Sequence, residues 1–330
     1  MAKIFYECDA QPSALHDKKV AIIGYGNQGR AHALNLRDSG VEVVVGARNG
    51  GKAQVNALAD GFQPISIAAA SLAADIIAIM LPDEHVPSVY SEHIESAIAA
   101  SSKCKTFLFA HGFVVANKTV LLPANADIIL VAPTGPGRQV RSLYKEGKGL
   151  PALVAVEQDQ SGHAFDKALA YANAIGCTRA GAIETTFAEE TTTDLFCEQA
   201  VLCGGVPELI KASFTTLVER GYQPELAYIS CLKEVKLIAD LLFTHGIDGM
   251  RQAISNTAKY GSAVAGPSLV NASTHRKLGD LLTNIEKGNF ARGFMEEAQA
   301  GCPVTREFTV TEANSRLART GHDLKAVLHF

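Results

Sequence analysis

The segment Gly24-Tyr25-Gly26-Asn27-Gln28-Gly29 has G-x-G-x-x-G spacing, which lets a chain turn tightly, admit a pyrophosphate to its backbone and seat a helix against a strand. It directly follows the β-branched run Val20-Ala21-Ile22-Ile23 and precedes a helical stretch, so N–H groups at a helix N-terminus would face the phosphates. Dinucleotide binding is the chemistry this spacing predicts. A second β-branched run, Val41 to Val45, leads into Gly46-Ala47-Arg48-Asn49-Gly50-Gly51-Lys52 without the acid that accepts the ribose hydroxyls of NAD. Arg48 and Lys52 stand there instead, where they could pair with a 2′-phosphate, so NADPH is expected over NADH. The alternative reading of both is a solvated loop cation.

Such a cradle must be carried by a sheet with helices on its faces. Further strand-like runs recur at Ile76 to Met80, Phe107 to Ala110, Ile128 to Val131 and Leu153 to Val156, separated by helix-like stretches. Six runs predict an α/β Rossmann domain with a doubly wound parallel sheet over residues 1–182. Beyond that the period changes. Leu209, Ile210, Phe214, Leu217 and Val218 recur at helical spacing between Pro207 and Gly221. A second helix is expected after Pro224, with Leu232, Val235, Ile238, Ala239 and Leu242 on one side and a stop near Gly246. Residues 183–330 therefore read as an all-helical domain.

Composition narrows the function classes. Of 330 residues 47% are apolar and 19% charged, which excludes general disorder. Thirty Lys and Arg against 34 Asp and Glu leave a formal charge of -4, with no basic field for a nucleic acid or membrane surface. The start of the chain has no targeting pattern, so a cytoplasmic protein is expected. Seven cysteines are scattered without zinc or CxxC spacing, so free thiols are the default.

Several segments together resemble the ketol-acid reductoisomerase family in its short form. They are Lys19 to Gly29 with Ala31 to Gly40, Leu81-Pro82-Asp83-Glu84, Phe109-Ala110-His111-Gly112-Phe113, Asp194-Leu195-Phe196, Glu198 to Gly205, and Ile254-Ser255-Asn256-Thr257-Ala258. The resemblance is collinear over nearly the whole chain. It implies a Rossmann domain joined to a knotted helical domain, and a homodimer with sites shared between chains. It also implies NADPH and two Mg²⁺ acting in an alkyl shift followed by hydride transfer on acetohydroxy acids of branched-chain amino-acid biosynthesis. By the same resemblance Pro82, Asp83 and Gly137 join the glycine-rich loop as cofactor-binding positions. His111 becomes a catalytic and cofactor-side residue, and Ser255 the contact for a substrate carboxylate; without the family, His111 reads as a strand-end corner and Ser255 as a helix cap.

The match is uneven where the metals and the rearrangement are concerned. Asp194 and Glu198, spaced i, i+4, are retained as carboxylates suited to Mg²⁺, although the acids could instead favour the N-terminus of a helix capped by Thr191 to Thr193. On the helix expected from a partner chain only Glu234 matches the second carboxylate pair, and Ser230 takes the other acid's place. In Val131-Ala132-Pro133-Thr134-Gly135-Pro136-Gly137, Thr134 occupies the position of the family's catalytic lysine. Val114-Val115-Ala116 replace a more polar continuation, suggesting a changed pocket wall, and Arg138 and Arg141 are candidate anion contacts or surface cations. The expected activity is NADPH-dependent reduction of a C=O or C=N bond in a small polar substrate. Isomerase activity is lost on this reading, and one Mg²⁺ site remains rather than two. An ordinary reductoisomerase with a modified site and a non-catalytic nucleotide sensor are the alternatives.

Overall fold

The computed structural model describes residues 2–99 and 103–328. The chain divides into two compact units, Met1–Thr191 and Thr192–Phe330. The first is built on an eight-stranded sheet of order β1-β8-β7-β6-β5-β4-β2-β3. Its strands are β1 (Ile4–Phe5), β2 (Lys19–Ile23), β3 (Glu42–Gly46), β4 (Ile76–Ile79), β5 (Thr106–Phe109), β6 (Asp127–Pro133), β7 (Ala152–Gln158) and β8 (Ala182–Glu184). Helices α1 (Asn27–Asp38), α2 (Lys52–Ala59), α3 (Ile67–Ala73), α4 (Val86–Val89), α5 (Glu95–Ala99), α6 (Phe113–Ala116), α7 (Gly137–Lys145) and α8 (Ala164–Ala174) connect them.

Strands β4 and β5 are buried at every residue, as continuous apolar runs in a doubly covered sheet must be. Parallel pairing runs from β3 through β2, β4 and β5 to β6. The chain goes from β2 outward to β3 and then back to β4 on the other side. That reversal opens a crevice at the carboxyl ends of β2 and β4, where such sheets bind ligands. The sheet is not parallel throughout, as the spacing of the runs had suggested. Strand β7 runs antiparallel to β6, with Pro133 opposite Ala152, and β1 runs antiparallel to β8. The reason is local: β7 starts beside the end of β6, because the intervening α7 packs on α1 instead of crossing the sheet.

Helix α1 is fixed to its neighbours by buried polar groups. His32 and Tyr171 are both fully buried and share a hydrogen bond of 3.1 Å. The Asn35 amide donates to the carbonyls of Val140 and Ile175, satisfying groups that burial would otherwise make costly.

Helix α9 (Phe187–Cys197) spans the division between the units. The second unit continues with α10 (Gly205–Glu219), α11 (Pro224–Tyr228), α12 (Val235–Ala253), α13 (Asn256–Leu269), α14 (Ala272–Glu286), α15 (Asn289–Gln299), α16 (Pro303–Ala313) and α17 (Arg316–Val327). Its core is small, gathered around Phe214, Ala227, Tyr228 and Leu324. Two π turns, Glu198–Leu202 and Ile229–Lys233, interrupt the helical ladder. The helix expected from Pro224 to about Gly246 is therefore divided. One π turn separates α11 from α12, and within α12 Gly246 takes φ 69 and ψ -178, a break that glycine tolerates best. Among the described residues one helical run, Phe187–Glu219, is long and apolar enough by length and composition to cross a membrane, with mean hydropathy 1.3 in its best window. It is interrupted by the first π turn and carries Asp194 and Glu198.

Candidate active site

The glycine-rich loop is shaped by three different steric demands. Gly24 has φ +97, and a Cβ on it would lie 2.5 Å from the Met80 carbonyl oxygen at the end of the β4 run. At Gly29 a Cβ would come within 2.0 Å of the Gly24 carbonyl oxygen, so α1 approaches the loop as only glycine allows. Gly26 differs: nothing lies within 4 Å of where its Cβ would be. It is the N-cap of α1, and that helix N-terminus carries no capping side chain of its own. Such a turn suits a pyrophosphate. Tyr25 takes part through its backbone alone, since its side chain is 2% exposed, packs on Phe62 and donates its hydroxyl to Asp60 at 3.0 Å.

A second loop is bolted onto this cradle. Gln28 Nε2 donates to the Gly135 carbonyl at 2.9 Å, and a Cβ on Gly137 would lie 2.0 Å from the Asn27 carbonyl oxygen. Thr134 therefore sits on a loop held against the nucleotide-binding turn. Its hydroxyl donates to the Pro151 carbonyl at 3.0 Å, and its amide donates to the same oxygen at 2.9 Å. The single hydroxyl proton is spent within the loop.

On the ribose side Arg48 is exposed, and Lys52 opens α2 with Gly51 as the N-cap. The Gly50 amide donates to Gln54 Oε1 at 2.7 Å, which shapes the turn between them. Arg141 lies elsewhere: it pairs with Asp38 at 2.6 Å and donates to Asn35 Oδ1 at 2.8 Å, so it is a structural cation and not an anion contact. Arg138 is exposed at the start of α7.

Beyond β4, Pro82 caps a short 3-10 turn that begins at Asp83. Asp83 Oδ2 and His111 Nδ1 are 3.0 Å apart. A carboxylate only accepts, so Nδ1 carries the proton in the neutral ring and Nε2 is the basic nitrogen. The ring follows β5 and stacks near Phe113, with centroids 6.2 Å apart. Of the altered continuation, Val114 is 1% exposed and faces the core, so only Val115 and Ala116 can line a wall.

Sequence reasoning missed Glu190. Its carboxylate is on a residue 3% exposed and accepts from the Gly112 amide at 2.8 Å and from the Thr191 hydroxyl at 3.3 Å. A Cβ on Gly112 would lie 2.6 Å from Glu190 Oε2, so glycine is required for this clamp beside His111. The signal was available: Glu190, Asp194 and Glu198 continue one i, i+4 series.

In the helical unit Asp194 lies on α9 and Glu198 opens the first π turn. Because α9 starts at Phe187, Thr191 to Thr193 are not its cap, and Asp194 is not a first-turn acid. The exposed carboxylates of Asp194 and Glu198 suit a hard cation that takes oxygen donors and keeps several waters. Among the described residues no three His, Cys, Asp or Glu side chains gather into a metal site. Ser230 lies within the second π turn and Glu234 directly follows it, donating its amide to the Ile229 carbonyl at 3.1 Å. Ser255 is the N-cap of α13, its oxygen accepting from the Ala258 amide at 3.2 Å.

Comparison with known proteins agrees with this arrangement. The NADPH-binding domain of acetohydroxy acid isomeroreductase matches residues 14–181, and the C-terminal domain of ketol-acid reductoisomerase matches residues 187–330. The chain belongs to the ketol-acid reductoisomerase family. Among solved structures, an NADH-preferring ketol-acid reductoisomerase from an uncultured archean is 39% identical. The similarity spans 99% of this chain and 100% of that one, at a TM-score of 0.94. More distant likenesses share the fold alone. A semialdehyde dehydrogenase NAD-binding protein from Cupriavidus necator is 17% identical over 82% of this chain and 98% of that one, at a TM-score of 0.61. A 3-hydroxyisobutyrate dehydrogenase from Mycobacterium tuberculosis is 16% identical over 93% and 99%, at 0.50. This member of the family is an NAD(P)H-dependent oxidoreductase, and the matched NADPH-binding domain, residues 14–181, contains the Gly24 to Gly29 loop.

Proposed function

We propose that this family member has kept hydride transfer and lost the alkyl shift, and that it reduces a C=O or C=N bond of a small polar substrate with NADPH. The observation that carries the reading is Thr134. Where the resemblance places a lysine, the side chain is neutral and its one proton is bound to the Pro151 carbonyl. An alkyl shift needs a developing alkoxide to be stabilised by fixed charge, and losing one such donor costs about 10² to 10³ in rate. Ser230, in place of a metal carboxylate, removes a second charge from the same step. Hydride delivery asks less: a positioned nicotinamide, a polarised acceptor and a proton source.

The residues divide those tasks. The Gly24 to Gly29 cradle holds the pyrophosphate, and Arg48 and Lys52 hold the 2′-phosphate that favours NADPH over NADH. Asp83 fixes the tautomer of His111, which orients the nicotinamide edge and relays a proton. Asp194 and Glu198 would hold a single Mg²⁺, which would supply polarisation of the substrate oxygen or nitrogen. Glu234 from a second copy and Ser255 border the substrate. The second copy is supported by the apolar side chains the helical unit leaves uncovered, including Phe243 at 93% and Tyr260 at 74% exposure. A homodimer in the cytoplasm, with no nucleic acid or membrane partner, is the assembly we assign.

The test is direct. Purified protein with Mg²⁺ and NADPH should transfer hydride stereospecifically to a 2-oxo acid or a cyclic imine and leave acetolactate unchanged. Rapid Mg²⁺-dependent conversion of acetolactate to the dihydroxy acid would refute it. The pair Thr134→Lys and Ser230→Glu should recover part of the acetolactate chemistry.

A further inference from the structure

The ribose-side helix and the pyrophosphate loop meet at one carboxylate. Asp60 is the C-cap of α2, the helix whose first residue is Lys52. Its side chain takes three hydrogen bonds, and its backbone carbonyl a fourth, from the other side of the cradle or its extension. Tyr25, inside the glycine-rich loop, donates its hydroxyl to Oδ2 at 3.0 Å. Arg30, in the first turn of α1, straddles the carboxylate with Nε to Oδ2 at 2.6 Å and Nη2 to Oδ1 at 2.8 Å. Arg37, two turns on, donates to the Asp60 carbonyl at 2.7 Å and lies over the Phe62 ring, 4.6 Å from its centroid. Tyr25 packs edge-on against that same ring. The Arg30 guanidinium holds the Asp60 carboxyl below the usual carboxylate range, so the group is ionised at neutral pH.

Asp60, Arg30, Arg37 and Phe62 do not come within 4 Å of where a Cβ on Gly26 would lie, and none of these groups belongs to the Arg48 to Lys52 turn. Helix α2 has eight residues, so Asp60 stands about 12 Å from Lys52. A bidentate ion pair at one end of so short a helix restricts the tilt of the whole helix, and with it the distance from Lys52 to the pyrophosphate loop.

We propose that Asp60 is a positioning residue for cofactor choice: by fixing α2 to Tyr25 and Arg30, it sets where Arg48 and Lys52 stand and hence how strongly a 2′-phosphate is preferred over a 2′-hydroxyl. The inference rests on the reading of Arg48 and Lys52 as the 2′-phosphate contacts. Both cofactors share the pyrophosphate, so any charge that Arg30 gains when released from Asp60 acts on both and cancels in the ratio of their affinities. The ratio therefore isolates the positioning effect.

Dissociation constants for NADPH and NADH should be measured by nicotinamide fluorescence on full-length wild-type, Asp60→Ala, Asp60→Asn, Tyr25→Phe, and the double variant Arg48→Ala with Lys52→Ala. Asp60→Ala should narrow the NADPH preference about five-fold, with Asp60→Asn and Tyr25→Phe in between. In the background lacking Arg48 and Lys52, Asp60→Ala should leave the ratio unchanged, since its effect passes through those two residues. Equal weakening of both cofactors by Asp60→Ala, or an unchanged ratio in the otherwise wild-type protein, would overturn the proposal while leaving the phosphate contacts standing. If the double variant keeps the wild-type ratio, it is the reading of Arg48 and Lys52 that fails. Should Asp60→Ala not fold, Tyr25→Phe decides: it removes one bond from the same carboxylate, and a ratio identical to wild type would count against the strut.

Discussion

The two units of this protein solve the problem of a site in opposite ways. In the sheet unit the glycine-rich loop is shaped by close packing within the chain: Gly24, Gly29 and Gly137 meet backbone at distances no side chain could share. The strands beneath are buried on both faces. In the helical unit the acids and hydroxyls proposed to bear on substrate are spread over α9, two π turns and the start of α13, around a core of few buried side chains. The contrast shows where each half draws its stability. One buries its apolar surface against itself, and the other leaves Phe243, Tyr260, Ile247 and Val304 mostly exposed until something covers them.

Breaking the cradle should have the largest effect. Gly29→Val would force a Cβ into the Gly24 carbonyl, and NADPH binding followed by calorimetry should fall below detection while the helical unit keeps its circular dichroism. A smaller but still large effect should separate the two kinds of apolar residue. Ile22→Ala, at a fully buried site, should cost about 3 kcal/mol in denaturant unfolding. Phe243→Glu should instead leave the folded sheet unit intact and shift the mass seen by sedimentation toward a single chain. If Phe243→Glu left the mass unchanged and the protein self-associated, its exposed face would not be the interface.

Cofactor contacts come next. Removing either Arg48 or Lys52 should weaken NADPH about ten-fold with little change for NADH, as for loss of a charge-assisted phosphate contact. A last effect is confined to acid, where it should appear in stability. Burial pushes the His32 imidazole down to about 3, so the folded protein holds it neutral. In the unfolded chain it binds a proton at an ordinary histidine pKa, so its share of stability is complete above about pH 6.5 and is lost as pH falls toward 3. His32→Gln should flatten that part of the stability profile, and an unchanged slope between pH 6.5 and 4.5 would show that other groups set it.

Some of this was legible in the residues alone. The G-x-G-x-x-G after Val20 to Ile23 located the cradle because strand, turn and helix N-terminus are all local in sequence. The series through Asp194 and Glu198 placed two carboxylates on one helical run for the same reason. The antiparallel return of β7 was hidden, since its direction depends on whether α7 packs on α1 or crosses the sheet. The series through Asp194 and Glu198 includes Glu190 as well, but its partner was hidden: the bond to the Gly112 amide joins residues far apart along the chain.

By itself the sequence determined six of the strands, the glycine positions and a neutral threonine at position 134, because each is a matter of residue type and short spacing. Only the tertiary structure decided that the Thr134 hydroxyl is bound to the Pro151 carbonyl, that Arg141 belongs to Asp38, and that Asp60 holds α2 to the loop at Tyr25. Each of those is a choice among several possible partners. Such a choice is fixed by which buried groups are brought within hydrogen-bond reach, and that depends on how the whole sheet and its helices pack.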